Sequence, residues 1–449
     1  MTPASSVASD AEQQWHQYRH NETNNAVLTS PVDEIYAGVL TTENEVRATP
    51  TIVGRTMFVG NHDSGDLQAY DLQSGEQLWH NQAPNWVHSE LIYVDGVIIV
   101  GFGNRFFEGD IRGTGESGVL GLDAESGEEL WRFETEGQVM PTPAKANGTV
   151  HIVTGDHHHY ELDPDTGEEV SRTDIGHVVS MSSPGSNGDL LFFGGGHPAP
   201  FAFTALDPHS SEIAWQVEFP DVISGLDDVP PAISGDTVVT TANIQGPQSP
   251  SGDEDEILDT HVLYALDTAT GSLLWETELG DGERPTNNRS GAPTIDDGTI
   301  FVGSPTTGWT YAYELSSGSE LWKYRTGTVK GAPVIKDGVV YVGTAQGWVH
   351  ALDSETGEKV GERHFGGTLA PSGPIIVNDT LVVGSQDSNV YLSPLDEIIF
   401  ADSSTFLGIP WLPGITILLA AITIVLVAAL VVQSRRLHRR SDARARHGR

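Results

Sequence analysis

The sequence predicts an all-β chain that forms an eight-bladed β-propeller of four-stranded antiparallel blades, followed by one C-terminal transmembrane α-helix. Three observations indicate this fold class. The phrase "GLDAESGEELW" (121–131) has several counterparts with the same spacing of Asp, Gly and Trp. A strand-like phrase such as "VVYVG" (339–343) occurs eight times at a mean spacing of about 46 residues, a period typical of repeat architectures. One long apolar run lies near the C-terminus.

Each repeat contains four short runs rich in Val, Ile and Tyr, and these runs are separated by Gly, Asp and Pro. No helical periodicity is visible before residue 403. Four antiparallel strands in each of eight repeats describe a β-propeller. We therefore assign residues 30–400 to the propeller and residues 1–29 to a segment that precedes it.

The Asp–Gly–Trp motif is predicted to be structural. The Asp carboxylate can accept hydrogen bonds from backbone N–H groups of the turn, and the Gly supplies a positive φ. The Trp then lies on the outermost strand, where blades diverge and large side chains fill the wedge between them. The motif residues are Asp71, Gly75, Trp79, Asp123, Gly127, Trp131, Asp163, Gly167, Asp207, Trp215, Asp267, Gly271, Trp275, Gly318, Trp322, Asp353 and Gly357.

Some repeats depart from the motif. Ser171 and Gly361 stand in the Trp position, Ser211 in the Gly position and Glu314 in the Asp position. The eighth repeat lacks the turn and the Trp. We expect the N-terminal stretch at 31–39 to supply its missing outer strand, because such closure removes exposed sheet edges.

These repeats resemble the PQQ-type propeller repeat over residues 15–395, and "WHQYRHNETNNA" (15–26) is similar to the segment that opens many such propellers. The resemblance implies the fold, but members of this family differ in activity. Some are quinoprotein dehydrogenases, which carry a Glu–Asn–Asp calcium set and usually an adjacent Cys pair above the quinone. Others, such as the propeller lipoprotein of outer-membrane barrel assembly, are non-catalytic. This chain has no Cys, and we expect it to resemble the non-catalytic members most and to need no cofactor.

The chain is strongly acidic, with 23 Lys and Arg against 62 Asp and Glu and a formal net charge of −39. Seven Arg lie in the last 15 residues, so the part before them is more acidic still. Such a field repels nucleic acid, whose binding rests on Lys and Arg neutralising phosphates. A solvated acidic surface suited to high salt, similar to that of haloarchaeal proteins, explains the composition. A cation-binding surface is the alternative.

Residues 414–432, "GITILLAAITIVLVAALVV", contain only two polar side chains, and their length matches the hydrocarbon core of a bilayer. We predict a transmembrane helix there, joined to the propeller by a linker at 401–413. The Arg-rich tail at 433–449 should stay cytoplasmic. The sequence therefore predicts a single-pass protein of the plasma membrane, with its propeller outside the cell.

Strand order predicts which loops share a face. Links between second and third strands, and links between blades, lie on what we name the loop face; the Asp–Gly turns lie on the opposite turn face. The long insertions all fall between second and third strands, at 102–117, 156–159, 195–201 and 242–260. Elaborated loops on a rigid scaffold are where binding usually resides, so the loop face is the candidate working surface.

The mouth of the central channel is predicted to open on the loop face. Aligning the inner strands on a recurrent Pro position places eight side chains around this mouth: Arg47, His88, Met140, Ser180, Asp227, Ser290, Lys330 and Pro371. Our candidates for binding a small polar ligand or a protein partner are Arg47, His88, Asp227 and Lys330, with Arg289 beside the ring. The alternative is a rim of solvated residues.

The sequence contains no G-x-S-x-G, H-E-x-x-H or phosphate-loop motif. The His run at 157–159 suggests a metal site with His88 and His197, but neighbouring strand residues point to opposite faces, so a surface loop is the competing interpretation. The acidic stretch at 251–256 lacks the ligand spacing of an EF-hand. We therefore expect no catalytic or metal residue and predict a membrane-anchored, non-catalytic binding scaffold. A PQQ- or metal-dependent membrane-bound oxidoreductase is the alternative.

Overall fold

The computed structural model describes residues 15–104, 114–248, 257–287, 289–399, 405–406 and 409–410. The chain divides into two compact units, residues 1–399 and 400–449. In the second unit the strands Thr405–Phe406 and Ile409–Pro410 pair with each other. The predicted transmembrane helix at 414–432 and the Arg-rich tail lie outside the described residues. Within the described ranges, no helix has the length and apolar character needed to cross a membrane.

The first unit is an eight-bladed propeller of antiparallel sheets, as predicted. In each blade the first strand lies nearest the channel and the last strand lies outermost. Blade 1 contains Thr51–Val53, Thr56–Gly60, Asp66–Asp71 and Gln77–Gln82; blade 2 contains Ile92–Val94, Val97–Phe102, Gly118–Asp123 and Glu129–Glu134. Blade 3 contains Ala144–Ala146, Thr149–Val153, His158–Leu162 and Glu169–Asp174; blade 4 contains Gly185–Ser186, Leu191–Gly195, Phe201–Asp207 and Glu212–Phe219.

The second half of the ring repeats this pattern. Blade 5 contains Ala232–Ser234, Thr237–Gln248, Ile257–Asp267 and Leu273–Gly282; blade 6 contains Pro293–Asp296, Thr299–Gly303, Trp309–Glu314 and Glu320–Arg325. Blade 7 contains Val334–Lys336, Val339–Gly343, Trp348–Asp353 and Lys359–His364; blade 8 contains Ile375–Val377, Thr380–Ser385 and Asn389–Pro394. An extra strand, Val222–Ser224, also pairs with the second strand of blade 5. Short 3₁₀ turns form at Leu226–Asp228 and Leu395–Glu397.

The N-terminal chain closes the ring. Gly38–Thr41 pairs antiparallel with Asn389–Pro394 as the outer strand of blade 8, and Val27–Leu28 runs parallel to Ile375–Val377 at its inner edge. The chain therefore supplies the missing outer strand, but several residues later than the predicted stretch at 31–39. The same blade thus contains strands from both ends of the propeller sequence, which leaves no open seam in the ring.

A ladder of Trp and Gly joins neighbouring blades. The indole of Trp275 in blade 5 lies over Gly318 of blade 6, and its Nε1–H donates to the Leu315 carbonyl over 3.0 Å. Each such Gly therefore has two roles, because it has a positive φ and also leaves room for the Trp of the preceding blade. The same contact is made by the pairs Trp79–Gly127, Trp131–Gly167, Trp215–Gly271 and Trp322–Gly357.

The Asp residues of the motif organise the turns. The carboxylate of Asp123, for example, accepts the Ser126 N–H over 2.8 Å and the Ser126 hydroxyl over 2.7 Å. These hydrogen bonds hold the pKa of Asp123 below its usual range. Turns built on Asp71, Asp163, Asp207, Asp267 and Asp353 have corresponding contacts. The motif thus closes the outer hairpin of each of these blades.

The departures in blades 3 and 4 form a compensating pair. Ser171 replaces the Trp of blade 3, and Ser211 replaces the Gly of blade 4 that this Trp would have covered. Both hydroxyls donate to the Glu161 carboxylate, over 2.7 Å from Ser171 and 2.8 Å from Ser211. A polar network therefore fills the wedge at this interface in place of an indole.

The other departures lie at the closure. Gly361 replaces the Trp of blade 7, and a Cβ on it would lie 2.1 Å from the carbonyl oxygen of Ile398, which passes over it. In blade 8 the Trp is replaced by Tyr36, whose ring lies against Gly75 of blade 1. The N-terminal chain thus supplies both the last strand and the last aromatic wedge.

Substitution of Gly318 tests this ladder. A Cβ on Gly318 would lie 2.5 Å from Cε3 of Trp275, and the residue has a φ of +67°. Gly298 has a φ of +74° but nothing within 4 Å of such a Cβ. We expect Gly298→Ala to lower the free energy of unfolding by about 1 kcal/mol through backbone strain, and Gly318→Ala by about 2–4 kcal/mol. Urea denaturation measures both, and equal losses would contradict a role for the Trp contact.

Candidate functional site

The N-terminal segment closes the central channel from the turn face. Residues 15–26 run around the base of the channel and pair with the innermost strands of blades 2 to 8. In each of these blades the backbone N–H two residues after the Pro position donates to the segment. These donors are Tyr93, Lys145, Ser186, Ile233, Ile295, Ile335 and Ile376. Residues 15–28, which the sequence placed before the propeller, are therefore part of it.

Arg19 fixes this segment at the centre. Its side chain is fully buried and donates to four backbone carbonyls, those of Asn24, Pro333, Ser372 and Pro374, over 2.7–3.2 Å. The amide of Asn24 is likewise buried and donates to carbonyls of blades 5 and 6. Because the segment blocks the base, the channel is a blind cavity that opens towards the loop face.

Two sets of residues line this cavity. They lie three residues and one residue before the recurrent Pro position at the start of each inner strand. The first set comprises His88, Met140, Met181, Asp228, Ser290, Lys330 and Pro371, and the second includes Glu90, Thr142, Ser183, Pro230 and Ala292. The spacing of two follows from the alternation of side chains in extended chain. Tyr18 and Ser372 complete the lining. The cavity leaves about 30 Å³ for the centres of water molecules, which is room for about two of them.

The structure places the predicted mouth residues differently in two blades. Met181 and Asp228 line the cavity where the sequence alignment put Ser180 and Asp227. Pro184 and Pro231 directly precede the inner strands of these blades, so the alignment was one residue out in each. His88, Met140, Ser290, Lys330 and Pro371 line the cavity at their predicted positions.

Three of the candidate binding residues, Arg47, Asp227 and Arg289, lie beside the mouth and do not line the cavity. The guanidinium of Arg47 pairs with Glu45 over 2.9 Å. The Asp227 side chain packs against Gly196, and the backbone N–H of Arg289 faces the Asp228 carboxylate over 3.4 Å. The structure therefore brings Arg289, Asp228 and Lys330 close to one another, while Arg47 forms an ion pair with Glu45.

Charges at the mouth perturb one another. Burial raises the pKa of Asp227, and the neighbouring Asp228 raises it further. Burial also raises the pKa of Asp228, although the Arg289 N–H and the Ser180 hydroxyl oppose this effect. Burial lowers the pKa of Lys330, and so does the charge of Arg47. Lys330 Nζ donates to the Asn287 carbonyl over 2.5 Å. Within the described ranges, neither Lys330 nor Arg289 forms an ion pair with a carboxylate.

The wall of the cavity contains a Ser–His contact that the sequence did not reveal. Ser290 Oγ lies 2.8 Å from His261 Nε2, and His261 Nδ1 lies 2.8 Å from Ser304 Oγ. A nucleophile, base and orienting group have this order in hydrolases. Here, however, burial lowers the pKa of His261 to about 3, and Ser290 is only 3% exposed. This contact therefore acts as a structural clamp between blades 5 and 6.

The His run at 157–159 is divided between a bend at His157 and the strand His158–Leu162. His159 is fully buried inside blade 3, where its Nε2 lies 2.9 Å from His151 Nδ1. His158 Nδ1 contacts the Asp156 carbonyl over 2.8 Å. Of the two explanations, the surface loop is therefore correct only for His157. The described residues contain no group of three His, Cys, Asp or Glu able to hold a metal ion.

The insertions on the loop face are partly strand. Residues 242–248 and 257–260 extend the second and third strands of blade 5, so the predicted loop is largely a long hairpin. Its tip at 249–256 and residues 105–113 of the blade 2 insertion lie outside the described residues. Arg284 forks onto the buried Asp259 at the base of this hairpin, over 2.9–3.0 Å. Together with Thr286 and Lys330 it lines a groove beside the channel mouth.

The repeat ladder, the eight blades and the blind channel define a PQQ-type propeller. A family model described as outer membrane protein assembly factor BamB matches residues 95–243 and 258–396. The chain belongs to this family, as the resemblance of its repeats predicted.

Relatives of the chain differ in function. Tetrathionate hydrolase of Acidithiobacillus ferrooxidans is 25% identical over 373 residues, which are 78% of this chain and 72% of that protein. The crystal structure of BamB from Moraxella catarrhalis has a TM-score of 0.61 at 18% identity and covers 80% of this chain and 99% of its own. Quinohemoprotein alcohol dehydrogenase from Comamonas testosteroni has a TM-score of 0.60 at 14% identity and covers 91% and 84%. These structural likenesses show the fold and leave the activity open.

Proposed function

We propose that this protein is a non-catalytic scaffold that binds a protein partner through its loop face. The observation that carries this proposal is the difference between the two faces. On the turn face, Asp–Gly turns recur in nearly every blade and the N-terminal segment fills the channel base. The loop face has the open channel mouth, the adjacent groove and the cation Lys330, with Arg289 next to Asp228 beside the mouth. Family membership with an assembly factor supports the same proposal.

The partner is expected to present carboxylates to this face. The chain before its Arg tail contains 16 basic and 61 acidic residues, so positively charged side chains are scarce in it. Arg289 and Lys330 lie near each other, and burial makes Asp227 and Asp228 easier to protonate. An acidic segment of a partner therefore meets two cations at this mouth, in a propeller that is otherwise strongly acidic.

Membrane anchoring is part of the proposal. The apolar run at 414–432 and the seven Arg that follow it suit a single span with a cytoplasmic tail. With the tail inside, the propeller stands outside the cell and its loop face is available to neighbouring membrane or surface proteins. In this arrangement the anchor holds the scaffold close to its partner and raises their effective concentration.

An enzyme is the second candidate, favoured by the hydrolase and dehydrogenase among the similar proteins. The cavity argues against a bound quinone, because about 30 Å³ of space for water centres is far below the volume of typical cofactor pockets. The Ser290–His261 contact has the residue types of a hydrolytic site. However, burial lowers the pKa of His261 and leaves the Ser290 hydroxyl almost inaccessible, and both features disfavour hydrolysis. We therefore place binding first.

Neutral substitutions at the two faces test the proposal. Arg289→Gln with Lys330→Gln should reduce capture of the partner from host membranes by the full-length protein at least tenfold, because Lys330 lines the channel mouth and Arg289 lies in the link that enters blade 6 on the same face. Lys336→Gln is the matched control, since Lys336 lies on the turn face of the same blade, where it pairs with Asp379. Quantitative mass spectrometry of affinity-purified complexes measures capture. Equal capture by all variants, or loss only with Lys336→Gln, would refute a role for the loop face.

A further inference from the structure

One side of the channel carries two thioethers and an imidazole at equivalent positions. His88, Met140 and Met181 each lie three residues before the inner strand's Pro position, in the adjacent blades 2, 3 and 4. They therefore face the axis at the same height. The chain has only four Met, and besides Met1 the other is Met57, which is fully buried in the core between blades. Both remaining Met thus line one cavity.

We propose that His88, Met140 and Met181 form a binding site for a soft monovalent metal ion, Cu(I) in chemical class. Thioether sulfur is a soft ligand that selects Cu(I) over Mg²⁺, Ca²⁺ and Na⁺, and imidazole nitrogen also binds copper. The described residues contain no group of three His, Cys, Asp or Glu side chains that could hold a metal ion. The proposed site is of a different kind, because two of its three ligands are Met sulfurs. The site goes beyond the proposed partner binding and does not depend on it.

The size of the cavity suits an ion. Its water-accessible space of about 30 Å³ admits one or two small species and excludes an organic cofactor. Met140 is 8% exposed, so the site is shielded from bulk water while remaining open to the loop face. A Met side chain has three rotatable bonds, so each sulfur can adjust its position to an ion in the cavity.

The neighbouring rings fix His88. The imidazole of His88 packs edge-on against His62, with ring centroids 4.1 Å apart, and His62 in turn lies 4.7 Å from Trp86. Asp228 of the adjacent blade 5 also lines the cavity, and Lys330 of blade 7 lies across the channel from Met140.

Silver(I) is the probe, because it shares the ligand preference of Cu(I) and does not change oxidation state. The full-length protein in detergent would be dialysed against AgNO₃ in chloride-free KNO₃ buffer, and bound metal measured by mass spectrometry. We expect one tightly bound ion per chain. Met140→Leu and Met181→Leu should each weaken binding at least tenfold, and the double variant should abolish the tight site. Met57→Leu is the matched control and should bind as the wild type does.

X-ray absorption on the Cu(I)-loaded protein provides a second readout. Two sulfur scatterers and one nitrogen scatterer are expected, and the Met140→Leu, Met181→Leu double variant should lose the sulfur signal. Leu is similar in volume to Met, so all variants should keep the melting temperature of the wild type. The proposal is overturned if tight binding persists in the double variant, if Met57→Leu weakens it equally, or if no stoichiometric ion binds.

Discussion

Replacing Arg19 by Met should be among the most destabilising single changes in the propeller. The side chain is fully buried and its hydrogen bonds reach four carbonyls in the N-terminal segment and blades 7 and 8. Removing the guanidinium leaves buried acceptors without this donor and loosens the segment that joins seven inner strands. We expect the free energy of unfolding to fall by about 3–5 kcal/mol. Urea denaturation at fixed KCl concentration measures the change.

Arg132→Met is the control for this prediction. Arg132 lies on an outer strand and pairs with Glu129 three residues away, in a contact that is largely solvated. Its loss should change the free energy of unfolding by less than about 1 kcal/mol. Arg19→Lys, which keeps the charge but loses the fork of donors, should be intermediate. If Arg19→Met unfolds at the same urea concentration as Arg132→Met, the N-terminal segment is not a structural part of the ring.

Stability should also rise steeply with salt. The chain before its Arg tail has 16 basic against 61 acidic residues, so the folded propeller repels itself at low ionic strength. Screening shortens the range of this repulsion to about 3 Å at 1 M salt. We therefore expect the melting temperature to increase by roughly 10 °C or more between 0.1 M and 3 M KCl.

Sucrose at matched osmolality separates charge screening from general solute exclusion, because sucrose stabilises proteins without carrying charge. The rise in melting temperature should be much larger in KCl than in sucrose. A melting temperature that does not change with KCl, or that changes equally in sucrose, would contradict the interpretation of the acidic surface as an adaptation to high salt.

Much of the fold can be predicted from local sequence, because each repeat is one blade and its motif is visible within a short stretch of the chain. The period near 46 residues and the Asp–Gly–Trp phrase predicted eight four-stranded blades, and the structure has them. The departures were visible in the sequence, but their meaning was not. Ser171 and Ser211 lie 40 residues apart, and only their shared contact with Glu161 shows that one substitution accommodates the other.

The closing of the channel by the N-terminal segment was not predicted, because it depends on hydrogen bonds between residues far apart in the sequence. The contacts of Arg19 span more than 300 residues, so no local pattern indicates that residues 15–26 close the channel. The errors at Met181 and Asp228 have a simpler origin. Neighbouring Ser residues around Pro184 and the double Pro at 230–231 left the alignment ambiguous by one residue, and one residue is enough to exchange the inward and outward faces of a strand.

The candidate site was predicted in outline and refined in detail. Five of the eight predicted mouth residues line the cavity. The blind base, the Ser290–His261 contact and the soft half of the channel were not predicted, since each depends on residues from several blades meeting at the axis. The membrane span at 414–432 remains a prediction from the sequence.

Site-specific photo-crosslinking in intact cells tests most directly whether the loop face binds a partner. A photoreactive amino acid would replace Thr286 or Gln346 on the loop face, and Gln73 or Thr270 on the turn face; all four side chains are exposed. The partner-binding account predicts one common protein adduct from both loop-face positions and none from the turn-face positions. Adducts only from the turn face, equal adducts from both faces, or no adduct from any position would contradict it.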